Sequence, residues 1–363
     1  MGTADEPVRY GIIGTGMMGV EHIENINELA GGRVTAVADP HPDSRQAAID
    51  AAEGEVAVFD HHRALLDSGA CDAVVVATPN MTHVDVLRDV LATDHHVLVE
   101  KPLCTTVDDC QRVIEWAEGH RGVAWVGLEY RYMPPIGRLV RDVHAGAVGA
   151  VQMMAIREHR YPFLTKVDAW NRFNRNTGGT LVEKCCHFFY LMNLTIGARP
   201  ERVYASGGQN VNHLHETYDG DTPDIIDNAF VLVEYPDGVR AMLDLCMFAD
   251  ATHHQEELSV TGADGKVEAF LPQSEVRTGR RGVHWIGQVE VESVVDPDVR
   301  FEGFHHGSSY IEHTRFIEAI KLGTEPEVTL EDGLWSVAVG EAAHRSIELG
   351  RPIDLDEVVP GSS

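Results

Sequence analysis

VRYGIIGTGMMG, residues 8–19, runs an apolar strand straight into a glycine-rich turn. Val8 to Ile13 have the β-branched and aromatic character of a buried strand. Gly14, Gly16 and Gly19 follow in the spacing G-x-G-x-x-G, and a helical apolar pattern then continues to Leu29. Each glycine has physical work at such a junction. Gly14 permits the tight turn, Gly16 lets the backbone approach a pyrophosphate, and Gly19 lets helix and strand pack closely. The helix N-terminus, with Met17 and Met18 in its first turn, then offers amides and a positive dipole end to the phosphates. A second strand, RVTAVADP, ends in Asp39, 20 residues after Gly19. A carboxylate there suits a ribose 2′-OH and repels a 2′-phosphate, so NAD is expected rather than NADP. Arg45 lies close enough in sequence to approach such a phosphate and counts on the other side.

The alternation continues from that junction. Ala73–Ala77 read as a strand before TPNMTH, HHVLVEKPL as a strand ending in Glu100-Lys101-Pro102, and VAWVGLEYRY as a strand after another helix. Strands alternating with helices predict a parallel, doubly wound sheet. Ligands in such sheets lie beyond the carboxyl ends of the strands. Thr78, Pro79, Asn80, His83, Glu100 and Lys101 fall at those ends and are expected beside the cofactor.

The 363 residues suit two domains, divided here as 1–125 for dinucleotide binding and 126–363 for substrate binding and oligomerisation. No apolar run approaches the ~20 residues that span a bilayer, and no secretory signal opens the chain. A cytoplasmic protein is expected, with no membrane partner. A net charge of -28 argues against nucleic acid. Six cysteines, two adjacent, do not form a secreted disulfide pattern.

GGTLVEKCCHFFYL, residues 178–191, crowds Glu183, Lys184, two cysteines and His187 into an apolar run. On a helix from Leu181 to Met192, Glu183 and His187 are i,i+4 neighbours and Lys184 and His187 are i,i+3 neighbours. That is the arrangement of a proton-handling site, and equally of a plain helical ion pair. A metal site is not expected, because Cys185, Cys186 and His187 are adjacent and point to different sides of a helix. The paired histidines at 61–62, 95–96, 253–254 and 305–306 likewise lack ligand spacing.

GIIGTGMMG, ATPNMTH, VLVEKPL and GGTLVEKCCHFFYL, in this order and spacing, resemble the Gfo/Idh/MocA oxidoreductases. The resemblance extends through HHGSSYIEHTRFIEAI and LEDGLWSVAVGEAAHRSIELGRPI. It implies an α/β fold, with an N-terminal Rossmann domain and a C-terminal α/β domain carrying a large, open, mostly antiparallel sheet. It also implies NAD(P)-dependent chemistry on a sugar or cyclitol hydroxyl, and a homo-oligomer, dimer or tetramer. By position, Lys101 matches the family lysine near the reacting hydroxyl, and His187 the acid/base histidine. Glu183 stands where the family commonly has Asp, and Tyr190 where it commonly has a second Asp.

The segment REHRYPFLTKVDAWNRFNRNTGG leads into that helix and is rich in Lys166, Trp170, Arg172, Asn174 and other groups suited to a sugar ring. Three of the chain's five lysines, Lys101, Lys166 and Lys184, fall in or next to the expected site. In so acidic a chain, this basic cluster predicts an anionic substituent on the substrate. The leading expectation is an NAD-dependent dehydrogenase. The rival is a redox-neutral, sulfoquinovosidase-like glycosidase that oxidises C3, eliminates at C1 and returns the hydride, with Tyr132 or His187 as the C2 base. A cofactor-binding regulator is the non-enzymatic alternative.

Overall fold

The computed structural model describes residues 6–361. They form two compact units. The first comprises residues up to Glu129 together with Lys166–Trp170 and Asp298–Leu334; the second comprises Tyr130–Thr165, Asn171–Pro297 and residues from Trp335 onward.

The first unit holds six strands: β1 (Val8–Ile13), β2 (Gly32–Ala38), β3 (Ala57–Phe59), β4 (Ala73–Val76), β5 (His96–Glu100) and β6 (Ala124–Gly127). Their order is β3-β2-β1-β4-β5-β6, with every pairing parallel. This is the doubly wound dinucleotide-binding order. Helices α1 (Met17–Asn27), α2 (Pro42–Ala51), α3 (His62–Asp67), α4 (His83–Leu91) and α5 (Val107–Ala117) alternate with the strands. The strands read as continuous apolar runs because both faces are covered; all of Ala73–Val76 is fully buried. α5 starts at Thr106, whose side chain accepts the Asp109 amide, with Asp108 and Asp109 on the positive end of the helix.

The second unit holds nine strands: β7 (Val151–His159), β8 (Arg202–Gly208), β9 (Asn228–Glu234), β10 (Arg240–Cys246), β11 (Glu256–Gly262), β12 (Gly265–Leu271), β13 (Glu275–Arg280), β14 (Glu290–Ser293) and β15 (Ile353–Asp354). They order as β14-β13-β12-β11-β7-β10-β9-β8-β15. Only β7 with β10 is parallel; the other pairings are antiparallel. One face alternates into the core through Met154, Ile156, Val231, Leu243, Leu258 and Val260. The other exposes Met153, Tyr204, Phe230, Leu232 and Met242. The helices are α6 (Pro134–His144), α7 (Asn174–Thr177), α8 (Thr180–Glu183), α9 (Cys186–Ile196), α10 (Ser308–Leu322, in the first unit) and α11 (Leu330–Leu349). Among the described residues, no helix is long and apolar enough to cross a membrane.

Candidate active site

In the first unit the glycine turn separates what the fold demands from what a ligand would demand. Gly14 has φ +87°, and a Cβ there would lie 2.7 Å from backbone atoms of Ala77 and Thr78. A Cβ on Gly19 would lie 2.1 Å from the Gly14 carbonyl oxygen. Protein packing therefore requires both. Gly16 is different, because a Cβ there would meet nothing within 4 Å. It is also the N-cap of α1 and makes no side-chain capping bond, so the first amides of the helix open onto that space. Met17 is exposed and Met18 half-buried beside it. The turn thus fits a dinucleotide pyrophosphate.

Asp39 follows β2. Its Oδ2 accepts the Thr15 amide and its Oδ1 the His41 amide, both at 2.8 Å. Arg45 donates to the carbonyl oxygens of Asp39 and Pro40, which holds its guanidinium against that main chain. At the end of β4, Thr78 and Pro79 are half-buried and Asn80 is buried. His83, also expected at the cofactor, is fully buried between two loops. Nδ1 lies 2.9 Å from the Pro102 carbonyl and Nε2 3.0 Å from the Thr78 carbonyl. Burial pushes it below the ordinary histidine range despite those carbonyls. His83 therefore braces the TPN and EKP turns against each other.

Glu100 is likewise expected beside the cofactor. It closes β5 but faces inward: Oε1 lies 2.9 Å from His22 Nε2, and Oε2 accepts the Lys101 amide at 3.2 Å. Burial would raise its pKa, but the His22 hydrogen bond and the Lys101 charge hold it at about 2. Two further buried carboxyls adjoin it. Glu129 is pushed well above its ordinary range by burial and by Glu100, and Glu21 is raised by burial. His305 Nδ1 lies 3.6 Å from Glu129 and 3.8 Å from Glu21. Lys101 itself is half-buried. Lys166 Nζ sits 4.8 Å above the Trp170 ring in the same unit.

In the second unit, the helix expected from Leu181 to Met192 is interrupted. α8 ends at Glu183, Lys184 and Cys185 form a turn, and α9 begins at Cys186. Phe188 and Phe189 are fully buried, each stabilising the fold by about 2–3 kcal/mol. Gly178 and Gly179 lead in with φ +76° and +86°. A Cβ on Gly179 would lie 2.3 Å from His344 Nε2, the atom that accepts the Leu181 amide at 3.1 Å. Cys185 and Cys186 are buried, with Cys186 Sγ 3.5 Å from the Glu183 carbonyl. Among the described residues, no group of three or more His, Cys, Asp or Glu side chains is arranged to hold a metal.

The polar groups of this segment meet on Tyr130. His187 stacks on its ring at 3.9 Å between centroids and 10° between planes. Lys184 Nζ donates to Tyr130 Oη at 2.6 Å and pairs with Glu158 at 3.0 Å. Glu183 and His187 are both buried. Glu158 continues the inward phase of Met154 and Ile156 on β7, and Glu256 opposes it across the β7–β11 ladder. Two carboxylates facing each other in a core cannot both ionise cheaply. Burial and Glu158 push Glu256 up to about 8, so it is largely protonated at neutral pH while Glu158 pairs with Lys184. Arg160 Nη1 adds a second cation 3.6 Å from Glu158. Neither Tyr130 nor the two glutamates stood out in the sequence. The in-phase carboxylates of β7 and β11 were the available signal.

Part of the expected basic cluster, and the neighbouring Arg172 and Arg175, are paired within the chain itself. Lys184 is committed to Glu158. Arg172 is buried, bonded to Glu216, the Phe163 carbonyl and Thr165. Arg175 pairs with Asp221 at 2.8 Å. Asn174 binds Asp224 through both its amide and its side chain. Tyr132 is buried, with the Arg131 guanidinium 5.3 Å from its ring centroid.

Two family models match the chain. The Gfo/Idh/MocA oxidoreductase model with an NAD-binding Rossmann fold covers residues 8–128, and that family's C-terminal alpha/beta domain covers 141–355. The myo-inositol 2-dehydrogenase of Thermotoga maritima is 26% identical over 97% of this chain and 100% of its own length. The inositol 2-dehydrogenase of Rhizobium meliloti is 27% identical over 96% of this chain and 99% of its own. A levoglucosan dehydrogenase solved with NADH and levoglucosan shares the fold, with a TM-score of 0.83 at 16% identity, over 96% of this chain and all of that one.

Proposed function

Because the chain belongs to the Gfo/Idh/MocA family of NAD-dependent oxidoreductases, we propose that it is a dehydrogenase acting on a ring hydroxyl of a cyclitol or sugar. The observation that carries this reading is the buried His187–Tyr130–Lys184 cluster. It fixes the His187 ring by stacking, and a fixed imidazole is what a general base needs. His187 has the role of proton acceptor, Lys101 that of the cation that stabilises developing negative charge, and Glu183 tunes His187. Gly14, Gly16, Gly19, Met17, Met18, Asp39, Thr78, Pro79 and Asn80 would hold NAD, which supplies the hydride acceptor. Trp170, Lys166 and Asn174 are the substrate-facing candidates.

An anionic substrate loses part of its support, since Lys184, Arg172 and Arg175 already have carboxylate partners. The redox-neutral glycosidase remains the alternative, and its sulfoquinovosidase-like version loses the same support. The exposed apolar face of the nine-stranded sheet supports a homo-oligomer, and we place the protein in the cytoplasm. The relatives' substrates frame the test: inositols, levoglucosan, neutral pyranosides and uronates are each incubated with NAD. The reading predicts net NADH with a neutral cyclitol or sugar. Free sugar without net NADH would establish the glycosidase, and NADH only from acidic compounds would restore the anionic pocket.

A further inference from the structure

Behind Lys101, the first unit buries a chain of three polar side chains. His313 Nε2 lies 2.9 Å from His22 Nδ1, and His22 Nε2 lies 2.9 Å from Glu100 Oε1. All three residues are at most 6% exposed. Glu100 accepts, so His22 Nε2 carries a proton. In the neutral chain His22 Nδ1 then accepts from His313 Nε2–H. The leftover atom is the His313 Nδ1 acceptor, which has no hydrogen-bond partner among the described residues. The reverse direction would bury an unpaired N–H or a second charge, which costs more. The bonds therefore run one way, from His313 through His22 to Glu100, whose other oxygen holds the Lys101 amide.

An apolar packing of the same volume would join α1 to α10 at least as well. Ile23 and Ile26 supply apolar packing on the buried side of α1. We propose that His22, backed by His313, is a positioning residue for the reaction, acting through Glu100 to fix the main chain and the counter-charge of Lys101. The inference rests on the assignment of Lys101 to the reacting hydroxyl. The charged and titratable groups around Glu100 are His22 and Glu21 from α1, Lys101 on its own strand end, Glu129 after β6, His305 before α10 and His83 from α4. His22 reaches the Glu100 side chain from another element, its Nε2 2.9 Å from Oε1. Without that bond the buried carboxyl would take up a proton. Lys101 would then lose a neighbouring anion, and its ammonium would lose its proton at lower pH.

The matched pair His22→Gln and His22→Asn tests this in the full-length enzyme with NAD and its best polyol. Glutamine can give an N–H to Glu100 and a carbonyl to His313. Asparagine keeps the His313 bond but stops short of Glu100. His22→Asn should lower kcat about tenfold, leave KM and NAD affinity within about twofold, and move the alkaline limb of the kcat profile down by about one pH unit. His22→Gln should restore both kcat and the limb. Equal behaviour of the two variants, or a wild-type pH profile in a destabilised His22→Asn, would reduce the chain to a packing device. Lys101→Ala is measured alongside. If it retains turnover, the Lys101 assignment fails on its own account; if it is inactive while His22→Asn matches wild type, only the inference about His22 falls.

Discussion

Replacing Lys184 with methionine removes one charge and little volume from the core of the second unit. The ammonium is 3.0 Å from Glu158 and 2.6 Å from the Tyr130 hydroxyl, and the residue is 4% exposed. Breaking a buried pair from one side costs about 3–5 kcal/mol, because the remaining charge is stranded. Arg160, 3.6 Å from Glu158, offsets part of that; the lost Tyr130 hydrogen bond adds about 1 kcal/mol. A net loss of about 3 kcal/mol follows, or roughly 6–12 °C in Tm for a unit of this size. Differential scanning calorimetry, with chemical denaturation as a second route, measures it. The double variant Lys184→Met/Glu158→Gln removes the stranded carboxylate, leaves only the less buried Arg160 without that partner, and should recover part of the loss. A single-variant cost below about 1 kcal/mol, or a double variant no better than the single, would refute the claim that Lys184 is a structural cation.

Glu256 supplies a pH test. Its folded pKa is raised from 4.5 to about 8, so the folded state holds a proton that the unfolded state has released. The stability it contributes is present below about pH 4.5 and is lost as pH rises towards 8, by at most about 1.4 kcal/mol per unit. Glu256→Gln should flatten that slope in denaturation curves taken across the window. In the first unit, Asp39→Ala should narrow the preference for NAD over NADP, expected at tenfold or more in calorimetric titration. Unchanged selectivity would move the ribose contact elsewhere. Lys101→Ala and His187→Ala should each lower turnover roughly a hundredfold or more. Cys185→Ala and Cys186→Ala should keep most activity and cost about 1–2 kcal/mol of stability as buried small side chains; an inactive, folded cysteine variant would point to a thiol nucleophile instead.

The first unit was legible because its rules are local. A strand, a turn that admits no Cβ at Gly14 or Gly19, and a helix are written within VRYGIIGTGMMG, and the spacing to Asp39 follows from one βαβ turn. Period-2 alternation likewise announces strands such as β7. The partners of buried charges are not local. Lys184 meets Glu158 from a strand ending well before it, and His22 meets His313 across 291 residues. No spacing rule encodes either meeting, so the sequence could not show that Lys184 is spent on Glu158. Within a few residues, sequence shows which groups are charged. Whether a charge is spent inside the protein depends on what the fold carries to within about 4 Å of it, since desolvation makes an unpaired buried charge too costly to keep. Tertiary structure alone decided that Glu100 and His83 turn inward, and that Lys184 serves the core.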